Sequence, residues 1–214
     1  MGQKVIMTAQ GQVVRNDRQR ASGRAQRWAW LPVLLVGIAL FVAIQRALVI
    51  TGNPALVPTL LVLGTLVIPV SFVVYLDGRK PAYDLPLSVL LSAMLLGGVL
   101  GAAVASVVEF GTTWRLGELP TVAAVLIEEA AKLLLPIAML IFTRYRSSIA
   151  DGLLIGVAVG TGFALLETLG YGFVTLLGSG GDLIDTEGRL LLRAALSPAA
   201  HAAWTGLAAA ALWW

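Results

Sequence analysis

From Trp28 onward the sequence is a row of long apolar runs separated by short polar segments. A run of about 20 apolar residues is what an α-helix needs to cross the hydrocarbon core of a bilayer. Nothing else in the chain limits its fold as strongly. These runs read as membrane-spanning helices. Composition agrees: 58% of the 214 residues are hydrophobic and 13% charged, where a soluble domain carries about 25% charged residues. Mean hydropathy is +0.86. The expected fold class is all-α, a polytopic transmembrane helix bundle of about six spans, with no room for a second large domain.

The spans are expected at about 28–50, 55–76, 85–108, 121–142 and 150–177, with a sixth beginning near 191–198. Thr51-Gly-Asn-Pro54 reads as a turn, Asp77 to Pro81 as a charged loop, and 109–120 as a mixed polar connection. Gly178 to Gly181, followed by Asp182, Asp185 and Glu187, reads as a flexible polar loop. Leu190–Ser197 is expected as an interfacial helix leading into Pro198, since proline is tolerated at a helix start. Gly97, Gly98 and Gly101 allow close helix contact in the third span. Trp213 and Trp214 read as an interfacial anchor or as the edge of a truncated span.

Residues 1–27 are polar and basic, with Lys4, Arg15, Arg18, Arg20, Arg24 and Arg27 against one acid, Asp17. Beside a membrane span such a tail reads as a poorly ordered cytoplasmic topology signal that meets anionic lipid, and no nucleic-acid partner is expected. The domain division is therefore a tail at 1–27 and a transmembrane domain at 28–214. The first run is too long for a cleaved signal peptide and reads as an anchor. Arg79, Lys80, Arg144 and Arg146 fall on the tail's side of the membrane, which puts the N-terminus inside. Cysteine is absent, which excludes disulfides, thiolate zinc sites and a cysteine nucleophile.

Ionisable residues interrupt three of the apolar runs: Glu128, Glu129 and Lys132, then Glu167, then His201. A charge at a helix centre costs about 2.5–3.5 kcal/mol on insertion scales, so such residues need partners, water or protons. Glu128 and Lys132, at i and i+4, share a helix face, and Glu129 stands about 100° further round. Phe163 shares a face with Glu167, and Thr205 with His201. At 1.5 Å per residue, Glu128 lies about 10 Å and Glu167 about 15 Å from the outer ends of their spans. His201 lies in the first turns of its own span, so all three are expected in the outer half of the bilayer. Each has a bland reading: a neutralising Glu128–Lys132 pair, a Glu129 turned to a headgroup, a protonated Glu167, a structural His201, a packing Phe163. Together, the only histidine of the chain and three carboxylates at compatible depth mark a functional site.

Such a cluster suits a general base acting on water, a histidine that shares the proton or stabilises an oxyanion, or an oxygen- and imidazole-bound metal such as zinc with an open water position. Each leads to hydrolysis of a bond presented within the membrane. Proton relays use the same residues, so a proton-coupled transporter or channel is the competing reading, and a non-catalytic scaffold or chaperone that keeps the pocket is a third.

Three sequence blocks carry a family resemblance. Ile127-Glu-Glu-Ala-Ala-Lys132, Gly162-Phe-Ala-Leu-Leu-Glu167 and Ser197-Pro-Ala-Ala-His201-Ala-Ala-Trp-Thr205 resemble, in order and on separate spans, the E-E-x-x-K, F-x-x-x-E and H-x-x-x blocks of the PrsW intramembrane proteases. These proteases are relatives of the CAAX-processing and bacteriocin-processing enzymes. The resemblance covers about 121–206, with Tyr171 and Gly206 in keeping. It implies an intramembrane endopeptidase of a bacterial cell membrane that cuts a membrane-anchored protein near the outer face. Within it, Glu128 would be the base with Glu129 beside it, and His201 the oxyanion or ligand histidine. Lys132, Phe163 and Thr205 would support them. Glu167 stands where the CAAX-type relatives carry a histidine, and Thr205 where they carry an asparagine. With Glu128, Glu129, Glu167 and His201 as the donor set, a divalent metal such as zinc and a metal-free glutamate mechanism both stay open, as does the oligomeric state.

Overall fold

A computed structural model describes residues 26–79, 85–146, 148–178 and 183–214; within 183–198 the side chains described are those of Arg193, Leu196 and Ser197. The described secondary structure is entirely helical: α1 (Trp30–Thr51), a 3-10 turn (Pro54–Leu56), α2 (Val57–Gly78), α3 (Leu87–Leu116), α4 (Thr121–Lys132), α5 (Leu134–Phe142), α6 (Ile149–Gly178) and α7 (Leu183–Leu212). Large apolar side chains face outward in number, Ile50 81% exposed and Phe142 83% exposed among them. Water would not tolerate that surface, whereas lipid tails match it.

Among the described residues four helices are long and apolar enough to cross a membrane: Gln26–Thr51, Pro54–Gly78, Leu87–Leu116 and Ile149–Gly178. The remaining expected spans take a different form. The run at 121–142 is broken at Leu133 into α4 and α5. Pro136 lacks the N–H that the Lys132 carbonyl would accept, so the chain tightens there and Leu133 N–H bonds back to Ala130 O at 3.2 Å. The last helix does not start near 191–198. It starts at Leu183 and runs through the proline, with Ala199–Leu212 as its apolar part. Prolines persist inside membrane helices because neighbouring groups and local adjustments satisfy the freed carbonyl.

Other boundaries move as well. The third span continues to Leu116, so the connection expected at 109–120 shrinks to 117–120, ended by Gly117 at φ +82°. Asp77 and Gly78 belong to α2 rather than to a loop. Asp185 and Glu187 lie on α7, while 179–182 fall outside the described residues, as do 1–25 and 80–84. Gln26 and Arg27 of the expected tail are helical, and Gln26 Nε2 donates to Asp77 Oδ2 at 2.9 Å. The turn after α1 is as expected: Gly52 has φ +63°, and the Asn53 side chain accepts from Ala55 N–H.

The central element is α6, packed against α2, α3, α4, α5 and α7, while α1 touches mainly α2. Its contact with α7 is built on small residues at four-residue spacing. A Cβ on Gly152 would strike the Trp213 ring, one on Gly156 the Ala209 side chain, and one on Gly160 the His201 backbone. Backbones therefore approach closely along this seam. The two C-terminal tryptophans differ: Trp214 is 97% exposed, whereas Trp213 is enclosed. It is 9% exposed, packs over Gly152 and donates its Nε1–H to Tyr145 O at 3.0 Å. The opposite side of α6 meets the glycines of α3, where Gly97 faces Val159 and Gly101 faces Phe163 and Lys132.

Candidate active site

The two glycine seams bring α4, α6 and α7 together at one level, and every site residue expected from sequence meets there. Lys132 closes α4 and is 0% exposed. Its Nζ donates to Glu129 Oε1 at 2.8 Å and to Glu128 Oε2 at 3.4 Å, and lies 2.8 Å from His201 Nδ1. The ammonium also stands 4.0 Å from the centre of the Phe163 ring, within cation–π range. Phe163 in turn tilts against His201, ring centres 5.4 Å apart.

On its other side His201 turns Nε2 toward Glu167 Oε2 at 3.1 Å. Ammonium groups only donate, so a 2.8 Å contact from Lys132 requires a lone pair on Nδ1. The proton of a neutral imidazole is then on Nε2, which donates to Glu167. Thr205, one turn beyond His201, donates Oγ1–H to Glu129 Oε2 at 3.3 Å. Glu129 is thus held by Lys132 and Thr205 with the His201 ring 3.9 Å away, whereas among the described residues Glu128 has the long contact to Lys132. Glu128 and Lys132, which share a helix face, are in contact, and Glu129, at i and i+3, is the closer partner.

Two neighbours of the cluster were not singled out from the sequence. Arg193 sends Nη2 to Glu167 Oε2 at 3.1 Å and stacks its guanidinium 4.0 Å over the Tyr171 ring. Glu109, on α3, lies within electrostatic reach of Glu128, Glu167 and Lys132, and its Oε1 is buried with no hydrogen-bond partner among the described residues. Both had a signal. Gly98, Gly101, Ala105 and Glu109 share one face of α3, and Arg193, Ser197, His201 and Thr205 follow one another at four-residue intervals.

A cavity of about 460 Å³ opens beside the histidine, lined by Glu167, Arg193, Leu196, Ser197, Ala200 and His201. It reaches the Glu167–His201 pair from the N-terminal side of α7. Arg193 Nε and Ser197 Oγ are buried along it without hydrogen-bond partners among the described residues.

Among the described residues no three His, Asp or Glu side chains are arranged to hold one ion. The oxygens of Glu128 and Glu129 and the Nδ1 of His201 converge instead on the Lys132 ammonium, at 2.8–3.4 Å. Zinc would need ligands at about 2.0–2.2 Å. The arrangement fits an ammonium and does not fit a divalent metal.

Comparison with known families matches residues 85–214 to the PrsW family intramembrane metalloproteases. No curated protein and no solved structure matches the chain. The matched stretch holds all of the clustered residues and leaves α1 and α2 outside.

Proposed function

The chain belongs to the PrsW family of intramembrane metalloproteases, and on that premise we propose that it cuts a membrane-anchored protein with Glu128 as general base and His201 as the group that meets the scissile carbonyl. As an intramembrane protease it works in a lipid bilayer on a membrane protein. The observation that carries the residue assignment is the unequal engagement of the two adjacent glutamates. Glu129 is bound on both oxygens, by Lys132 and by Thr205. Glu128 is 23% exposed, and its polar contact among the described residues is the 3.4 Å one, so it keeps lone pairs for a water.

The reaction then follows from what each side chain can do. Substrate chain enters the cavity lined by Glu167, Arg193 and His201. Glu128 takes a proton from water as the oxygen attacks the carbonyl carbon; a positioned base of this kind contributes roughly 10²–10⁴-fold. Negative charge grows on the carbonyl oxygen, and the Nε2–H of His201 shares its hydrogen with it, in the manner of an oxyanion-hole donor. Glu167 keeps the ring turned toward the cavity. The C–N bond breaks, the proton held by Glu128 passes to the departing amine, and one water has been converted into a new carboxyl and a new amine terminus. No step passes through a metal.

The outer-leaflet position of the cut, the bacterial cell membrane and an inside N-terminus are part of the same proposal, supported by the distribution of Lys and Arg in the loops. The test is cleavage of a single-span reporter in liposomes by the purified chain. Wild type is expected to release two fragments and His201→Ala none, although both insert. Equal cleavage by the two proteins would remove His201 from the reaction.

A further inference from the structure

We propose that the ammonium of Lys132 is the resident cation of this site, seated where a divalent metal would otherwise stand, and that it holds His201 as the Nε2–H tautomer. Lys132 is thereby a positioning residue that acts through His201 and Glu129. The proposal deepens the peptidase reading, since it concerns the same site, but its readouts do not depend on cleavage.

The seat is complete on every side. Glu129 Oε1 and His201 Nδ1 lie at 2.8 Å, Glu128 Oε2 at 3.4 Å, and the Phe163 ring centre at 4.0 Å. The two 2.8 Å spacings are those of charge-assisted hydrogen bonds and the 4.0 Å one that of a cation–π contact, and none of the four is that of a coordination bond. The backbone adds to it. Lys132 is the last residue of α4, where the helix dipole favours positive charge, and Pro136 leaves its carbonyl without a helical donor. Gly101 of α3 lies against the Lys132 stem, so the chain reaches the seat fully enclosed. A metal bound through Nδ1 would have to displace the ammonium of a side chain that is 0% exposed. A doubly protonated His201 is equally incompatible, because two donors would face each other across 2.8 Å.

His201 is the only histidine of the chain, so ¹⁵N-histidine labelling reports on this ring alone. The experiment is ¹⁵N NMR of the full-length protein in detergent micelles, before and after zinc and after chelator, with metal content measured on the same samples. The expected spectrum has a protonated Nε2 and an unprotonated Nδ1 that accepts a hydrogen bond, unchanged by zinc or chelator, with sub-stoichiometric metal. In Lys132→Met the Nδ1 resonance is expected to move to that of a free lone pair. The zinc titration uses wild type only, so a poorly folding variant does not spare the proposal. A wild-type Nδ1 resonance that shifts with zinc, or one metal per chain that is lost in Glu129→Gln, overturns it. So does a doubly protonated ring. Reporter cleavage that fails while the ring behaves as expected would remove the peptidase reading and leave the cation assignment standing.

Discussion

Lys132 Nζ and His201 Nδ1 lie 2.8 Å apart although 69 residues separate them in the chain. That contact joins the end of α4 to the middle of α7 and passes over Phe163 of α6. It joins Glu128, Glu129, Lys132, Thr205, His201, Glu167 and Arg193 into one polar network. The consequences can be measured.

Removing the cation should cost both stability and activity. In Lys132→Met the carboxylates of Glu128 and Glu129 lose their shared partner. Breaking a buried ion pair from one side costs about 3–5 kcal/mol, and the partial exposure of both glutamates puts the expected loss at the low end. Denaturation of the variant in mixed micelles, with Lys132→Arg as the charge-keeping control, measures it. A Lys132→Met protein as stable as wild type would show that the network is not tied together through the ammonium.

The helix seam should matter as much as the polar groups. Gly160 is in contact with the His201 backbone. In Gly160→Val the added branch has to push α7 away from α6, and overpacking of this kind costs about 1–3 kcal/mol. Because α6 carries Glu167 and α7 carries His201, the same shift lengthens their 3.1 Å hydrogen bond. Cleavage is therefore expected to fall at least tenfold, about 1.4 kcal/mol in barrier, with every polar site residue intact. Reporter cleavage by Gly160→Val beside Gly170→Val, a glycine with open space around it, tests this. Equal rates would mean that the seam does not set the site.

Arg193 and Ser197 should act on substrate binding more than on the chemical step. Both line the cavity that leads to His201, and their free donors suit the backbone carbonyls of an unwound peptide. Ser197→Ala is expected to raise KM several-fold with kcat nearly unchanged, the signature of lost uniform binding. Arg193→Gln should raise KM and also lower kcat, since its guanidinium touches Glu167. Its effect on stability should stay below about 1 kcal/mol, because the ion pair is partly exposed. Michaelis curves for the two variants check the split, and a pure kcat effect in Ser197→Ala would contradict it.

How much of this was legible in the sequence depends on the scale of each signal. The long apolar runs announced helices because lipid permits little else. The residues Glu128, Glu129, Lys132, Phe163, Glu167, His201 and Thr205 were legible because an ionisable group inside such a run needs a reason to be there. Which glutamate Lys132 prefers was not legible, since i, i+3 and i, i+4 partners are both within reach of a long side chain. The break at Leu133 could have been read from Pro136, but proline does not always break a membrane helix, as the unbroken course of α7 through Pro198 shows. Glu109 and Arg193 were passed over because both stood near expected helix ends, where a charge needs no partner. They sit on helix because α3 and α7 run further than their apolar cores. The Gly152, Gly156 and Gly160 seam was present as a small-residue repeat, and its partner helix could be known only from packing.

The central claim, that Glu128 activates the attacking water, is tested most directly by the cleavage rate of Glu128→Gln. The measurement is single-turnover cleavage of a single-span substrate in proteoliposomes, with wild type and variant at equal insertion. Glutamine keeps the shape and a hydrogen bond but cannot take a proton, so the rate is expected to fall by roughly 10²–10⁴-fold, with substrate still bound in the Glu167–Arg193–His201 cavity. A Glu128→Gln protein that cuts within a few-fold of wild type would contradict the assignment and shift the base role to another carboxylate of the cluster.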